Sequence, residues 1–231
     1  MKIMGLQKMT LLDFPGKVAC TVFFGGCNFR CPYCHNASLV FDAGLPAIMS
    51  ESDFFSFLSK RRQILDGVCI TGGEPLLQQD LALFILKIKE MGFLVKLDTN
   101  GSFPQRLKQL LEMPGVDYVA MDIKNSQKRY QETIGVPGFS TRNVEESIKI
   151  LQSGAVPYEF RTTLVKEFHR EEDILQIGEW LQGSEALYLQ TFADSGNLVG
   201  GKPLSPFSKE DMEGFAQLLR KYVKEVHLRG M

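Results

Sequence analysis

Six apolar, β-rich runs recur along the chain with helix-length stretches between them: VACTVFF, GVCIT, FLVKLD, VDYVAMDIK, YEFRTTLV and ALYLQTF. This alternation reads as repeated βα units around a parallel sheet. The stretches between the strands carry helix signals of their own. SESDFFSFLSKRRQIL opens at the cap-capable Ser50, and DLALFILKIKEMG ends at Gly92. SKEDMEGFAQLLRKYVKEV starts at Ser208 with acids in its first turn and bases in its last. Six units fall short of the eight that close a full barrel of about 250 residues. The expected fold is therefore α/β, a partial (β/α)6 TIM-type barrel open on one side, through which a large substrate could enter. At 231 residues, with no low-complexity tract or Pro/Ser linker, the chain reads as a single domain, residues 1–231. PLSPFS, Pro203 to Ser208, is the clearest loop, and the last apolar run, EVHLRG, is expected as an edge strand or packed back on the core.

In such sheets ligands bind beyond the carboxyl ends of the strands. Those ends are polar here: Gly72-Gly73-Glu74, then Asp98-Thr99-Asn100, then Asp122 and Lys124, then Arg161 with Thr163, then Gln190. Period-two alternation puts Tyr118, Ala120, Asp122 and Lys124 on one strand face, and likewise Glu159, Arg161 and Thr163. Polar groups are thus expected to converge on one mouth.

Composition narrows the function classes. With 26 basic and 27 acidic residues the formal net charge is −1, which gives no electrostatic footprint for nucleic acid or an anionic membrane. No segment approaches the roughly 20 apolar residues of a membrane span, and the N-terminus MKIMGLQKMTLLDFPGK lacks a signal-peptide run. A cytoplasmic protein is expected.

Five cysteines, three of them within GGCNFRCPYCHN, do not suit a secreted disulfide framework. Cys27, Cys31 and Cys34 have three and then two residues between them, a spacing that lets thiolates on one short loop reach three corners of an iron–sulfur cube. A four-iron cluster ordinarily takes four cysteines, so three leave one iron with an open position for a substrate or cofactor. The alternatives at this point are a structural zinc site completed by His35, and chance clustering. Zinc sites of this form ordinarily have a second ligand pair about 12 to 20 residues on, and none follows. Cys20 and Cys69 fall in apolar runs and read as core.

Cys27-x-x-x-Cys31-x-Tyr33-Cys34, together with GGEP from Gly72 to Pro75, resembles the radical S-adenosylmethionine enzymes. The opening GLQKMTLLDFPGKVACTVFFGGCNFRCPYCHN, the DTNG and DIK elements and the ending LSPFSKEDM…LRG look more particularly like the anaerobic ribonucleoside-triphosphate reductase activating proteins. The resemblance implies one [4Fe-4S] cluster on Cys27, Cys31 and Cys34, with S-adenosylmethionine chelating the open iron. Reductive cleavage would then yield methionine and a 5′-deoxyadenosyl radical that abstracts a hydrogen atom. Tyr33 matches a position near the cluster and adenine in relatives, or is loop packing. Gly72, Gly73 and Glu74 match the segment that receives the methionine ammonium, on a carboxylate or on carbonyls. Asp98, Thr99, Asp122 and Lys124 match positions near methionine and ribose, with Lys124 suited to the carboxylate as a point charge. An Asp–Lys surface pair is the plainer reading of the last two. Arg161 is read either as a carboxylate or ribose ligand or as a buried partner of Glu159.

Some activating enzymes carry a histidine late in the barrel, but the corresponding LQTFADSG has none. His169 and His227 therefore read as surface or packing residues and stay outside the expected site. Only Cys69 lies between Cys34 and Gly72, so no auxiliary cluster is expected. The implied function is activation of a partner glycyl-radical enzyme, the anaerobic ribonucleotide reductase, with electrons from a flavodoxin- or ferredoxin-type donor. The alternative is a small-molecule enzyme like 7-carboxy-7-deazaguanine synthase.

Overall fold

The computed structural model describes residues 1–41, 46–194, 196 and 198–230. Among them eight strands lie in one sheet in chain order: β1 (Ile3–Thr10), β2 (Ala19–Phe24), β3 (Gly67–Gly72), β4 (Leu94–Thr99), β5 (Tyr118–Asp122), β6 (Tyr158–Leu164), β7 (Ala186–Thr191) and β8 (Glu225–Arg229). The helices are α1 (Ala37–Phe41), α2 (Glu51–Ser59), α3 (Leu81–Glu90), α4 (Pro104–Glu112), α5 (Tyr130–Ile134), α6 (Arg142–Gln152), α7 (Glu171–Trp180) and α8 (Lys209–Leu219), with a 3-10 turn at Pro75–Leu77. The six expected runs are β2 to β7, and EVHLRG supplies β8. The added strand is β1, which sequence periodicity does not show. Its run IMGLQKMT is polar and half exposed through the middle, and its pairing with β2 carries register shifts. None of these helices is long and apolar enough to cross a membrane.

The chain falls into two compact units. The first comprises Met1–Asn28, Ser38–Thr99 and Gln105–Ala120. Here β1 runs antiparallel to β2, while β2, β3 and β4 are parallel, in register from Ala19 opposite Gly67 to Phe24 opposite Gly72. β2 and β3 are buried at nearly every residue rather than at alternate ones, as strands covered on both faces must be. The Phe54 ring of α2 stacks on Phe84 of α3 at 5.2 Å above them. Ser50 caps α2 by accepting from the Asp53 amide at 3.1 Å, and Gly92 follows α3 at φ +88°, as its C-terminal position requires. Cys20 and Cys69 are fully buried, as expected of core residues, and burial pushes the Cys20 thiol up to about 12.

The second unit comprises Phe29–Ala37, Asn100–Pro104 and Met121–Met231. β6, β7 and β8 are parallel, from Phe160 opposite Leu187 to Gln190 opposite Arg229. α6 turns Val144, Ile148 and Leu151 inward at helical spacing, and α8 does the same with Met212, Ala216 and Leu219. Ser208 caps α8 in a reciprocal box with Asp211. The bases expected in the last turn of α8 lie beyond it, because the helix ends at Leu219 and Arg220 is already its cap.

Candidate functional site

In the first unit, β2 delivers the chain to Gly25, Gly26 and Cys27, and β3 ends beside it at Gly72. The Gly73 amide donates to Phe24 O at 2.9 Å and the Glu74 amide to Gly26 O at 2.8 Å. A Cβ on Gly72, at φ +134°, would lie 2.2 Å from Phe24 O, and one on Gly73 would lie 2.0 Å from Gly26 O and 3.1 Å from Cys27 Cβ. Two glycines are therefore a steric requirement of the turn that docks on the backbone leading to Cys27. Glu74 is fully buried, and its Oε1 accepts from the Leu76 amide at 3.0 Å and the Thr99 hydroxyl at 2.8 Å. Glu74 thus caps the 3-10 turn and ties it to the end of β4.

Beneath that end lies a residue not foreseen from the sequence. Lys96 is 1% exposed, pairs with Asp98 two positions on, and brings Nζ to 3.9 Å from Cys69 Sγ. A lysine inside an apolar strand gives no sign of which anion it meets until β3 and β4 are in register, with Cys69 opposite Lys96. The spacing of Lys96 and Asp98 was the available signal.

In the second unit, the segment from Phe29 to Cys34 is held along its length. The Arg30 amide donates to Ile134 O at 2.8 Å, and Gly135, at φ +64°, passes so close that a Cβ would lie 2.5 Å from Arg30 O. Phe29 packs edge-on to Phe139 and Tyr130, at 5.1 and 6.3 Å. Gly200 and Val199 amides donate to Pro32 O at 2.9 Å and Cys34 O at 3.0 Å, and a turn joins Cys34 N to Cys31 O at 2.9 Å. Tyr33 packs against Phe168 at 5.8 Å, and its buried hydroxyl has no hydrogen-bond partner. Packing and an orphaned hydroxyl coexist in the one residue.

Asp122 ends β5 and accepts from Arg161 Nε at 2.8 Å and from Lys124 Nζ at 3.0 Å. Burial pushes its carboxyl up, but the Arg161 and Lys124 charges outweigh that and hold it well below the usual carboxylate range. Burial pulls the Lys124 ammonium down, yet Asp122, with the acidic groups of Tyr33 and Cys31, raises it well above its ordinary value. The Asp–Lys pair is real, but it is a half-buried triad rather than a surface pair, with side chains 27%, 20% and 13% exposed for Asp122, Lys124 and Arg161.

Three placements differ from expectation. β5 stops at Asp122, so Lys124 lies in the segment after the strand, where the chain turns toward Asn125. Arg161 is mid-strand, because β6 continues in register with β7 to Leu164 opposite Thr191. Arg161 meets Asp122, while Glu159 meets Arg229 at 3.2 Å. Gln190 accepts from Thr163 at 3.4 Å. His227 is half exposed, stacked on Tyr188, whereas His169 is buried and bonded to the Lys124 carbonyl at 2.9 Å.

The Radical SAM superfamily model matches residues 21–181. This chain belongs to the radical SAM superfamily. A Methanocaldococcus jannaschii protein named as a glycyl-radical enzyme activating enzyme is 30% identical over 236 residues, covering 98% of this chain and 95% of that one. The pyruvate formate-lyase-activating enzyme of Clostridium pasteurianum is 31% identical over 169 residues, covering 71% and 68%. Among solved structures, Streptococcus suis SuiB bound to precursor peptide SuiA matches 91% of this chain and 48% of its own at a TM-score of 0.71 and 13% identity, a likeness of fold.

Radical SAM membership implies a [4Fe-4S] cluster and S-adenosylmethionine, and residues within each unit are of the kind that would hold them. Three thiols stand on one segment, a glycine cradle refuses any Cβ beside Cys27, and a buried hydroxyl lacks a partner.

Proposed function

We propose that the whole chain, residues 1–231, works as one radical SAM domain that activates a glycyl-radical enzyme, with anaerobic ribonucleoside-triphosphate reductase as its partner. The observation that carries this reading is the Gly72–Glu74 turn, docked on the backbone of Gly26 and Cys27 so closely that only glycine fits. The activating-enzyme names of the relatives from M. jannaschii and C. pasteurianum support a polypeptide as the substrate.

In this reading Cys27, Cys31 and Cys34 hold a single [4Fe-4S] cluster. When bound, cluster and cofactor would supply one-electron cleavage of a carbon–sulfur bond and, through it, the removal of one hydrogen atom from a partner glycine. The electron comes from a flavodoxin- or ferredoxin-type donor in an anaerobic cytoplasm. The chain's residues bind and orient. Carbonyls of the Gly72–Gly73 turn accept from the methionine ammonium, with Glu74 and Thr99 locking the turn and Asp98 completing the strand end. Lys124 receives the carboxylate, and Asp122 keeps it charged and aimed while Arg161 balances Asp122. Tyr33 closes the adenine side. A glycine Cα–H is a sensible target, since the resulting radical is stabilised by the flanking amide and carbonyl, and the protein need only bring it within reach.

The test uses anaerobically reconstituted protein, expected to hold about four irons, with reductant, S-adenosylmethionine and the candidate reductase. The expected result is 5′-deoxyadenosine together with a glycine-centred doublet in the electron paramagnetic resonance spectrum of the reductase. Glycine-deuterated partner should collapse the α-hydrogen splitting and carry deuterium into the deoxyadenosine. A radical-free reductase alongside turnover of a pterin-like small molecule would replace this reading with the small-molecule one.

A further inference from the structure

Residues 165–169, the turn after β6, touch Tyr33, Asn125 and Lys124. The Phe168 ring packs on Tyr33, Phe168 O accepts from Asn125 Nδ2 at 2.8 Å, and His169 Nε2 reaches Lys124 O at 2.9 Å. His169 is 2% exposed, and its other ring nitrogen lies 3.1 Å from the Val165 amide nitrogen. Nδ1 also stands 3.2 Å from Val165 O, but the shorter contact is Nε2 to Lys124 O, and with the proton on Nε2 the Nδ1 atom accepts from Val165 N–H. Burial favours this neutral form by pulling the imidazole below its ordinary value. Both ring nitrogens are thereby used to join the segment carrying Lys124 to the turn that closes β6. Asn125, fully buried and bonded to Thr133 at 2.7 Å as well as to Phe168, makes the second half of the clamp.

From this clamp we infer that His169 is a positioning residue: it sets where the Lys124 backbone stands, and so where the ammonium of Lys124 meets a ligand carboxylate. The inference rests on the reading of Lys124 as the carboxylate's partner. His169 touches neither cluster nor cofactor. It acts through the Lys124 carbonyl, holding a lysine that lies beyond the end of β5, where the Lys124 amide donates to the Tyr130 hydroxyl at 3.4 Å.

The experiment is a double-mutant cycle. S-adenosylmethionine is titrated into anaerobically reconstituted parent protein, Lys124→Met, His169→Ala and the double variant. Lys124→Met should lose the most affinity and His169→Ala about tenfold, the worth of one ordinary hydrogen bond. The double variant should bind no more weakly than Lys124→Met alone, because His169 has nothing to position once the ammonium is gone. His169→Gln, whose amide can donate to Lys124 O, should recover most of the loss, which a general packing role would not produce. Without cluster or cofactor, amide exchange at Val165 should be fast in His169→Ala and slow in the parent. Should His169→Ala fail to fold, His169→Asn keeps an acceptor for Val165 and loses only the Lys124 bond, and it replaces Ala in the same cycle. Parent-like affinity in the His169 variant, or losses that multiply in the double variant, would overturn the inference alone. Parent-like affinity in Lys124→Met would overturn the role of Lys124 itself, and this inference with it.

Discussion

The Gly72–Glu74 turn of the first unit is held by backbone contacts that leave no space for a side chain, whereas Asp122, Lys124 and Arg161 of the second are held by charge. The backbone lock at Gly72 and Gly73 is intolerant of an added atom, since the atoms it would strike are backbone carbonyls. The charged triad tolerates small changes of shape but depends on protonation. It can also exchange part of its internal pairing for a ligand's carboxylate, because Lys124 and Arg161 share one anion. The glycine turn is thus built to hold a shape, and the triad to hold a charge.

The sharpest way to break this contrast is Gly73→Ala, where the new Cβ would meet Gly26 O at 2.0 Å. A loss above about 3 kcal/mol in urea unfolding of the metal-free protein is expected. Gly16, also at positive φ (+67°) but with nothing within 4 Å, provides the control; Gly16→Ala should cost only about 1 kcal/mol. Equal costs at the two positions would remove the packed turn from the account.

Next in size is Lys96→Met, which preserves volume but takes the buried cation from Asp98, at about 3 kcal/mol and with little dependence on salt. A strong salt dependence would mean that the pair is open to solvent.

Asp122→Asn should cost about 2 kcal/mol near neutrality, less than a fully buried pair because the carboxylate is partly exposed. The folded carboxyl titrates below its unfolded value of 3.8, so the parent's advantage over Asp122→Asn is complete above about pH 4 and shrinks as pH falls toward the depressed folded value. Urea midpoints from pH 7 downward measure it, and a gap that grew on acidification would reverse the assignment.

The smallest effect is expected at His169→Gln, about 1 kcal/mol at pH 7. Burial lowers the folded imidazole, Asp173 opposing and Arg129 assisting, so the unfolded chain takes up a proton first. The parent's advantage should therefore be complete above about pH 6.5 and narrow as pH falls from there, visible as convergence of the two melting temperatures.

The triad was half legible in the sequence. Spacing along DIK marked Asp122 and Lys124, but Arg161 had two carboxylates in reach of a guess, and the nearer in sequence, Glu159, is the one Arg229 pairs with across β7. His169 reads as a surface or packing residue because it lies outside the late-barrel segment LQTFADSG, and its bond to a carbonyl 45 positions away is visible only in the fold. Lys96 was passed over as part of an apolar run, since nothing local distinguishes a buried cation from an exposed one.

What the sequence determined by itself is local or periodic: the βα alternation, the three-thiol segment, the glycines of the Gly72–Glu74 turn, the caps at Ser50 and Ser208, and through them the family. These follow from backbone sterics, side-chain period and ligand chemistry, which are properties of neighbouring residues. Only the tertiary structure decided which charges meet, where β5 releases Lys124, and that β1 completes the sheet. Those outcomes depend on strand register and on loop closure across tens of residues, where ion pairing and burial select one partner from several that the chain offers equally.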